Sequence, residues 1–187
     1  LAHPAAPVPA SAVLSGVMIK AALIGWMRYL PLGWSALPEW GELLMGLGAV
    51  TVFFAAAVGV VQRDPKTVLA YSSISQMGLM TTGLGLALVL PDAAFVMVTA
   101  VTLFALHHGL AKAALFLGVG VARRAGVRQA FWVGIGLLLP ALALAGLPAT
   151  SGALAKAMFK DGVAAAGPAG EWLSALLPWS SLGTTLL

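Results

Sequence analysis

Residues 43–61 read LLMGLGAVTVFFAAAVGVV, a stretch without a charged side chain. A helix needs about 20 predominantly apolar residues to cross the hydrocarbon core of a bilayer. The stretch has this length, and it is too long and too uniformly apolar to alternate like a strand of a membrane barrel. We therefore interpret it as a membrane-spanning helix and divide the rest of the chain by the same criterion.

Apolar runs of similar length recur along the chain and predict about six helices in a single transmembrane domain, residues 1–187. The expected helices cover residues 11–30, 43–61, 67–90, 95–122, 130–166 and 172–187. Because Leu1 is not a methionine and Leu187 lies inside an apolar run, we expect a fragment whose last helix is truncated. The predicted fold class is all-α, a polytopic transmembrane helix bundle.

The fifth run is interrupted by the sequence Pro148-Ala149-Thr150-Ser151-Gly152. Proline removes a backbone donor and glycine loosens the chain, so we expect one broken helix around Pro148–Gly152. Irregular backbone at membrane depth persists only where it is buried in protein or lines a wet cavity. The break therefore predicts a polar region inside the bundle.

Composition supports a membrane environment. Of the 187 residues, 60% are hydrophobic and 9% are charged, whereas a soluble domain carries about 25% charged residues. The absence of cysteine excludes disulfides and thiolate metal sites. The sequence shows neither a phosphate-binding glycine loop nor metal-ligand spacing, so we expect no metal and no cofactor in this chain.

The charged residues lie mostly in short loops and predict an orientation. Two loops that are two crossings apart are basic, and both are expected on the cytoplasmic side. Their basic residues are Arg63, Lys66, Arg123, Arg124 and Arg128. No basic stripe with interleaved aromatic residues is present, which excludes nucleic acid as a partner. We expect an integral protein of the inner (plasma) membrane of a prokaryote.

Lys20 lies near the middle of the first predicted helix. A lysine at that depth costs about 2.5–3.5 kcal/mol on insertion scales, and its side chain cannot easily reach the interface from the centre. One interpretation is structural, with the amine bound to a buried carbonyl or carboxylate. The other is a proton-transfer group, because burial disfavours the charged form of an amine.

His108 and Lys112 are four residues apart and therefore share one face of the fourth predicted helix. Repulsion between two neighbouring cationic groups favours loss of a proton from one of them. The pair predicts a proton-transfer site, although a membrane histidine is often only a hydrogen-bonded core residue. The adjacent His107 points about 100° away, because successive residues are rotated by that angle at 3.6 residues per turn, and is a further candidate.

Lys156 follows the broken helix, where unpaired backbone groups favour water, and we interpret it as a proton-transfer residue. Lys160, one turn further along, is a possible site residue, with snorkelling to the interface as the alternative. A polar patch in the third run could hold a water chain or simply join helices. Its candidate residues are Tyr71, Ser72, Ser75 and Gln76. Gly46, Gly48, Gly83 and Gly85 are expected to allow close helix packing.

Four stretches together resemble one family of membrane proteins. They are AHPAAPVPASAVLSGVMIKAALIG at residues 2–25, QRDPKTVLAYSSISQMG at 62–78, LHHGLAKAALFLGVG at 106–120 and GLPATSGALAKAMFK at 146–160. In this order they are similar to the proton-conducting, antiporter-like subunits of respiratory complex I, membrane hydrogenases and Mrp cation/proton antiporters.

The resemblance implies roles for individual residues. Lys20 matches the lysine of the helix after the family's first broken helix, and His108 with Lys112 matches the central relay. Lys156 matches the lysine of the second broken helix, near the outlet half-channel. The inlet glutamate and the lysine of the first broken helix are expected before Leu1, so these residues alone should not conduct protons.

Two positions depart from the family pattern. Many members carry a second histidine one turn before the one that matches His108, where this chain has Phe104. After Lys156 stands Ala157, where quinone-linked members often show an acidic residue. The second departure favours a hydrogenase-type or Mrp-like relative.

The resemblance therefore implies proton translocation by an antiporter-like subunit of a redox-driven complex, either an NADH:quinone oxidoreductase or a membrane hydrogenase. One alternative is a subunit of an Mrp-type cation/proton antiporter, in which sodium could also move. A third interpretation is a structural membrane scaffold that does not transport. The expected partners are the lipid bilayer and other membrane subunits, and redox chemistry is expected in those subunits.

Overall fold

A computed structural model describes residues 5–186, which form seven helices connected by short loops. Their bounds are α1, Val8–Tyr29; α2, Pro38–Val60; α3, Pro65–Val89; α4, Pro91–Ala122; α5, Val127–Ala145; α6, Ser151–Ala165; and α7, Glu171–Leu186. The Ala-His-Pro sequence at residues 2–4 and the terminal Leu187 lie outside the described residues. The predicted all-α class is confirmed.

Several helices begin earlier than the hydrophobic runs suggest. Helix α2 starts at Pro38 rather than Leu43, and α4 starts at Pro91 rather than Phe95. The first backbone N–H groups of a helix have no partner within the helix, and proline lacks this group. Its fixed φ angle also suits the first helical turn. The apolar runs therefore mark the membrane-embedded part of each helix, and the prolines mark where the helix itself begins.

Four helices, α1, α2, α4 and α5, are long and apolar enough to cross a membrane. Helix α3, with 25 residues, is also long enough but is less hydropathic, because it carries the polar patch. It is the most extensively buried helix in the described part of the chain. Its Met80 and Leu84 belong to the same buried core as Phe104 of the neighbouring α4. The polar side chains of α3 therefore face protein rather than lipid.

Helices α2 and α3 approach each other at paired glycines. A Cβ on Gly48 would lie 2.6 Å from the carbonyl oxygen of Gly78, and one on Gly85 would lie 2.6 Å from that of Gly41. Either distance is too short for a real contact, so only glycine permits this spacing. A Cβ on Gly46, in contrast, would have no atom within 4 Å, so the packing role expected for this glycine is wrong.

The start of α3 is fixed by its capping residue. Asp64 accepts hydrogen bonds from the backbone and the hydroxyl of Thr67, both at 3.0 Å, and forms an ion pair with Arg123 at the end of α4. Slight burial raises the pKa of Asp64, but the bonds from Thr67 and Arg123 outweigh it, so the pKa lies below its ordinary value. The ion pair between Asp64 and Arg123 joins α3 and α4 on the basic side of the bundle.

The predicted helix break is confirmed, and it occupies residues 146–150. Helix α5 ends at Ala145 and is capped by Gly146, whose φ of 85° lies in the left-handed region, and Ala149 has a φ of 66°. Thr150 then caps α6 by accepting a hydrogen bond from the backbone of Ala153 at 3.3 Å. The residues from Ser151 onward are therefore already helical.

Candidate functional site

Lys20 lies on α1 just after a π-helical turn at Leu14–Met18. Its ammonium group donates to the backbone carbonyl of Ser15, and the side chain is buried. A π-helical turn departs from the regular hydrogen-bond pattern and is frequent at functional sites. The irregular turn therefore presents a backbone acceptor to the lysine at membrane depth, a feature that hydrophobicity alone does not predict.

Lys112 is the most deeply buried cationic residue of the described chain, with a relative exposure of 0%. Its Nζ donates to the backbone carbonyl of Leu69 on α3 at 2.9 Å. Among the residues that the structure describes, its contacts include no carboxylate. A charged group in such a place requires a compensating charge or the loss of a proton, so Lys112 is placed where its protonation state can change.

Two hydroxyl groups connect the surroundings of Lys20 with those of Lys112. Ser15 Oγ on α1 lies 2.6 Å from Ser73 Oγ on α3. Ser73 Oγ in turn donates to the carbonyl of Leu69 at 2.9 Å, the acceptor that Lys112 also uses. The two lysines are thus joined by a continuous set of polar contacts that crosses from α1 through α3 to α4.

His108 is 1% exposed, and within the described residues neither of its ring nitrogens has a hydrogen-bond partner. The ring lies close enough to Lys20, Lys112 and His107 for their charges to interact when they are protonated. Buried polar atoms are normally paired with protein or ordered water. Both ring nitrogens of His108 are thus exceptions to this rule among the described residues.

His107 faces a different neighbour from His108, as the angle between successive residues predicts. Its Nδ1 lies 2.8 Å from Ser151 Oγ, at the first residue of α6, and its charge is coupled to that of Lys156. A cavity of about 500 Å³ lies beside it between α4, α5 and α6. His107 thus connects the centre of α4 with the broken helix.

Lys156 reaches back across the break to the end of α5. Its Nζ donates to the carbonyl of Ala145 at 2.8 Å. A Cβ on Gly146 would lie 2.9 Å from Cδ of Lys156, so this glycine supplies both the left-handed turn and the space for the lysine stem. The broken helix therefore provides a carbonyl acceptor for Lys156, as expected for a lysine beside irregular backbone.

Lys160 is exposed, and with Lys156 it lines a cavity of about 290 Å³. Ser174 of α7 also lines this cavity. Most of its other lining residues are apolar, among them Leu79, Phe104 and Phe159. Its position agrees with either of the interpretations given for Lys160, a group beyond Lys156 on the path or a lysine that snorkels to the interface.

The polar patch of α3 divides between two neighbouring helices. Ser75 donates to the carbonyl of Val52 at 3.1 Å and therefore joins α3 to α2. Ser73, which was not among the predicted site residues, shares the Leu69 carbonyl with Lys112 and contacts Ser15 Oγ. Its neighbours in sequence are also serines, and the residue type does not show which side of the helix faces the lysines. The other candidates of the patch are buried or half-buried: Ser72, Gln76 and Tyr71.

Phe104 occupies the position at which many members of the family carry a second histidine. Its ring is buried and lies edge-on to His107, with ring centroids 6.4 Å apart, and it also contacts Phe159 of α6 at 6.2 Å. An apolar ring cannot carry a proton. The polar contacts near this point of α4 therefore run through His107 and Ser151 instead.

Several polar groups of the site can bind and release protons. Among residues 5–186, no three histidine, cysteine, aspartate or glutamate side chains lie close enough to hold a metal ion. The buried polar groups of the site are amines, imidazoles and hydroxyls. The chemistry that this set of groups supports is the binding and release of protons.

The comparisons with known proteins agree with this geometry. The model of the family described as NADH:quinone oxidoreductase/Mrp antiporter, TM, matches residues 1–176. The chain belongs to this family.

Two antiporter-family relatives show how far the match extends. Antiporter subunit mnhA2 of Staphylococcus saprophyticus is 36% identical over 180 residues, which cover 85% of this chain and 22% of the relative. Hydrogenase-4 component B of Escherichia coli is 35% identical over 127 residues, which cover 64% of this chain and 19% of the relative.

The antiporter-family fold is also present in a solved structure, the Mrp complex of a Dietzia species. The superposition has a TM-score of 0.81 and covers 99% of this chain and 36% of that chain, at 23% sequence identity. The chain spans about a fifth of the length of the curated relatives it matches. It is thus an integral membrane segment that corresponds to one part of a longer antiporter-like subunit.

Proposed function

We propose that the chain forms part of the proton path of an antiporter-like membrane subunit. Protons pass from Lys20 to Lys112 and His108, and then by way of His107 to Lys156. The observation that carries the proposal is Lys112, which is fully buried on α4 and donates to the backbone carbonyl of Leu69. Each lysine alternates between the charged and the neutral form as the charge of its neighbour changes.

The arrangement of the lysines supports stepwise transfer. Each of the three binds a backbone carbonyl, an acceptor that stabilises an ammonium group without fixing it as a carboxylate does. Repulsion between neighbouring amines makes the two-proton state unfavourable, so the arrival of one proton promotes the departure of another. Directional transport then depends on the rest of the subunit, which supplies access from the two membrane surfaces.

The longer protein is proposed to work within a multisubunit membrane complex. The antiporter relative covers 85% of this chain and the hydrogenase relative 64%, at nearly equal identity. This coverage favours an Mrp-type cation/proton antiporter as the first candidate and a redox-driven complex of the hydrogenase or complex I type as the second. In either case we place the protein in the plasma membrane of a prokaryote, with lipid and other membrane subunits as its partners.

The deciding experiment is proton translocation by the full-length protein in inverted membrane vesicles, wild type against Lys112→Ala. We expect the rate to fall by about two orders of magnitude or more, in the range observed when a proton-transfer group is removed. Arg124→Ala, in the basic loop after α4, is the matched control and should retain the wild-type rate. Undiminished transport in assembled Lys112→Ala would instead indicate a structural scaffold.

A second measurement separates the two kinds of complex. Sodium-dependent proton exchange without an electron donor supports the Mrp-type assembly. Proton pumping that requires a reductant supports the redox-driven assembly, because such a complex moves protons only while electrons flow through its other subunits. Both outcomes leave the roles of Lys20, Lys112 and Lys156 unchanged.

A further inference from the structure

We infer that the hydroxyl groups of Ser15 and Ser73 form the transfer link between Lys20 and Lys112. The inference rests on the proposed function and adds two residues to it. The two oxygens are 2.6 Å apart, their side chains are 0% and 2% exposed, and they lie on different helices. Nothing in the composition of the polar patch separated Ser73 from its neighbours, so this pairing is a result of the structure.

Each end of the hydroxyl pair lies at one of the lysines. The ammonium of Lys20 already binds Ser15 through its backbone carbonyl. At the other end, Ser73 and Lys112 donate to the same oxygen of Leu69, each at 2.9 Å. Two donors on one acceptor are no farther apart than twice this length, so reorientation of the flexible lysine stem can bring its Nζ to the serine hydroxyl.

The chemistry of the groups selects the hydroxyls as the link. A carbonyl oxygen only accepts, whereas a serine hydroxyl donates one proton and accepts another at the same time. The carbonyls of Ser15 and Leu69 can therefore hold the two amines but cannot pass a proton between them. Along the contacts that join Lys20 to Lys112 in the described residues, Ser15 and Ser73 carry the groups that can.

The transfer balances in protons. The ammonium of Lys20 turns from the carbonyl of Ser15 to its Oγ and gives a proton to this oxygen, as Ser15 passes its own hydroxyl proton to Ser73 Oγ. Ser73 passes its hydroxyl proton to the neutral amine of Lys112. Both serines end with one hydroxyl proton, as they began, while Lys20 becomes neutral and Lys112 becomes charged. Only N–H and O–H bonds form and break, and no other reactant is needed.

The π-helical turn supports this role independently. Ser15 belongs to the turn at Leu14–Met18, and Lys20 follows shortly after it. The same turn brings Gly16 against Gly109 of α4, where a Cβ on Gly109 would lie 2.5 Å from the carbonyl oxygen of Gly16. The irregular turn is therefore held in place by close packing, and with it the position of Ser15 opposite Ser73.

A purely structural role is the alternative, and Ser75 provides the matched comparison. It is a buried serine on the same helix whose hydrogen bond goes to Val52 of α2, away from the lysine pair. Removing its hydroxyl also deletes one buried interhelical hydrogen bond. Loss of stability alone would therefore appear in Ser75→Ala as well as in Ser73→Ala.

The test uses the full-length protein in inverted vesicles at matched content of assembled complex. Ser15→Ala and Ser73→Ala should slow proton translocation at least about tenfold, and Ser75→Ala should not. The double variant should be no slower than either single variant, because the two hydroxyls act as one unit. Rates of Ser15→Ala and Ser73→Ala equal to wild type would overturn the inference.

Ser73→Thr supplies a second criterion should an alanine variant fail to assemble. Threonine keeps the hydroxyl and adds a methyl group, so transport should remain near the wild-type rate. If only packing matters, the added methyl should impair transport as much as alanine does, and that result would also count against the link. Lys112→Ala, measured beside these variants, tests the proposed function separately: its failure to slow transport would remove the path itself, whereas normal Ser73→Ala rates beside a slow Lys112→Ala remove only the link.

Discussion

Lys112 and Ser73 donate to the same acceptor, the backbone carbonyl of Leu69, each at 2.9 Å. The acceptor lies on α3, the lysine on α4, and the serine leads on to α1 through Ser15. Residues of three helices therefore meet around this carbonyl, next to the most deeply buried amine of the described chain. This arrangement explains why α3, whose polar patch lowers its hydropathy, is also so extensively buried.

The coupling between Lys20 and Lys112 can be measured with a double-mutant cycle. Lys20→Ala and Lys112→Ala should each slow proton translocation strongly, and the double variant should be little slower than Lys112→Ala alone. The reason is that both lysines serve one path, which is already interrupted when either is removed. Independent, multiplicative effects of the two substitutions would show that the lysines act in separate paths.

Asp64 gives a pH dependence of stability on the basic side of the bundle. Its pKa is lowered in the folded protein. The stability that its charged form contributes is therefore fully present above the pKa of the unfolded chain, about 3.9, and is lost as the pH falls through the lower pKa of the folded protein. Asp64→Asn keeps a capping oxygen but removes the charge. The melting temperature of the wild type should therefore fall toward that of Asp64→Asn as the pH falls from about 5 to about 2.

This effect should be modest, because the ion pair of Asp64 with Arg123 is solvent-exposed, and such pairs contribute about 0.2–1 kcal/mol. It should also shrink at high salt. A constant difference in melting temperature between the two proteins at every pH would contradict the assignment.

Two glycines on α2 form a matched pair for testing helix packing. Gly48→Ala places a methyl group 2.6 Å from the carbonyl of Gly78 and should reduce the free energy of unfolding by about 1–3 kcal/mol. Gly46→Ala meets no atom within 4 Å and should be neutral or slightly stabilising, since alanine favours the helix. Thermal unfolding of the two full-length variants in detergent makes the comparison, and equal losses would refute it.

The broken helix can be tested in the same way. A Cβ on Gly152 would overlap the carbonyl oxygen of Ala143 at the end of α5. Gly152→Ala should therefore displace the start of α6, disturb Lys156 and slow proton translocation. Gly136→Ala, in the middle of α5 with no atom within 4 Å, is the control and should leave transport intact. Similar rates for both variants would show that the position of α6 does not matter.

The His107–Ser151 contact predicts a smaller effect. Ser151→Ala removes a 2.8 Å hydrogen bond between α4 and α6 and should lower stability by about 1 kcal/mol, the typical net contribution of one such bond. Transport should fall less than in Lys112→Ala, because the histidine remains. Thr99→Ala, whose hydroxyl bonds within its own helix, is the appropriate comparison in both assays.

Much of the fold could be predicted because a helix that crosses lipid needs a long, predominantly apolar sequence. Long apolar runs indicated the helices, and Pro148 with Gly152 indicated the break. The exact position of the break depended on capping, which Gly146 and Thr150 supply. Hydrophobicity records which residues meet lipid, but it carries no information on where an individual turn ends.

The candidate site was predictable only in part, for a related physical reason. Lysines and histidines at membrane depth are costly, so Lys20, Lys112 and Lys156 could be identified without a structure. The hydroxyls of Ser15 and Ser73 could not, because serines are common at helix contacts and cost little there. Their significance depends on a backbone irregularity at residues 14–18 that no residue type specifies.

The glycine contacts between α2 and α3 have a mechanical consequence. At Gly48 and Gly78 the two backbones are in direct contact, with no side chain between them that could change its conformation. A displacement of α3 would therefore move α2 with it. Helix α3 holds the carbonyl that binds Lys112, whereas α2 turns Val50 and Phe54 outward. Any displacement of α3 at this carbonyl would therefore also move the exposed side chains of α2.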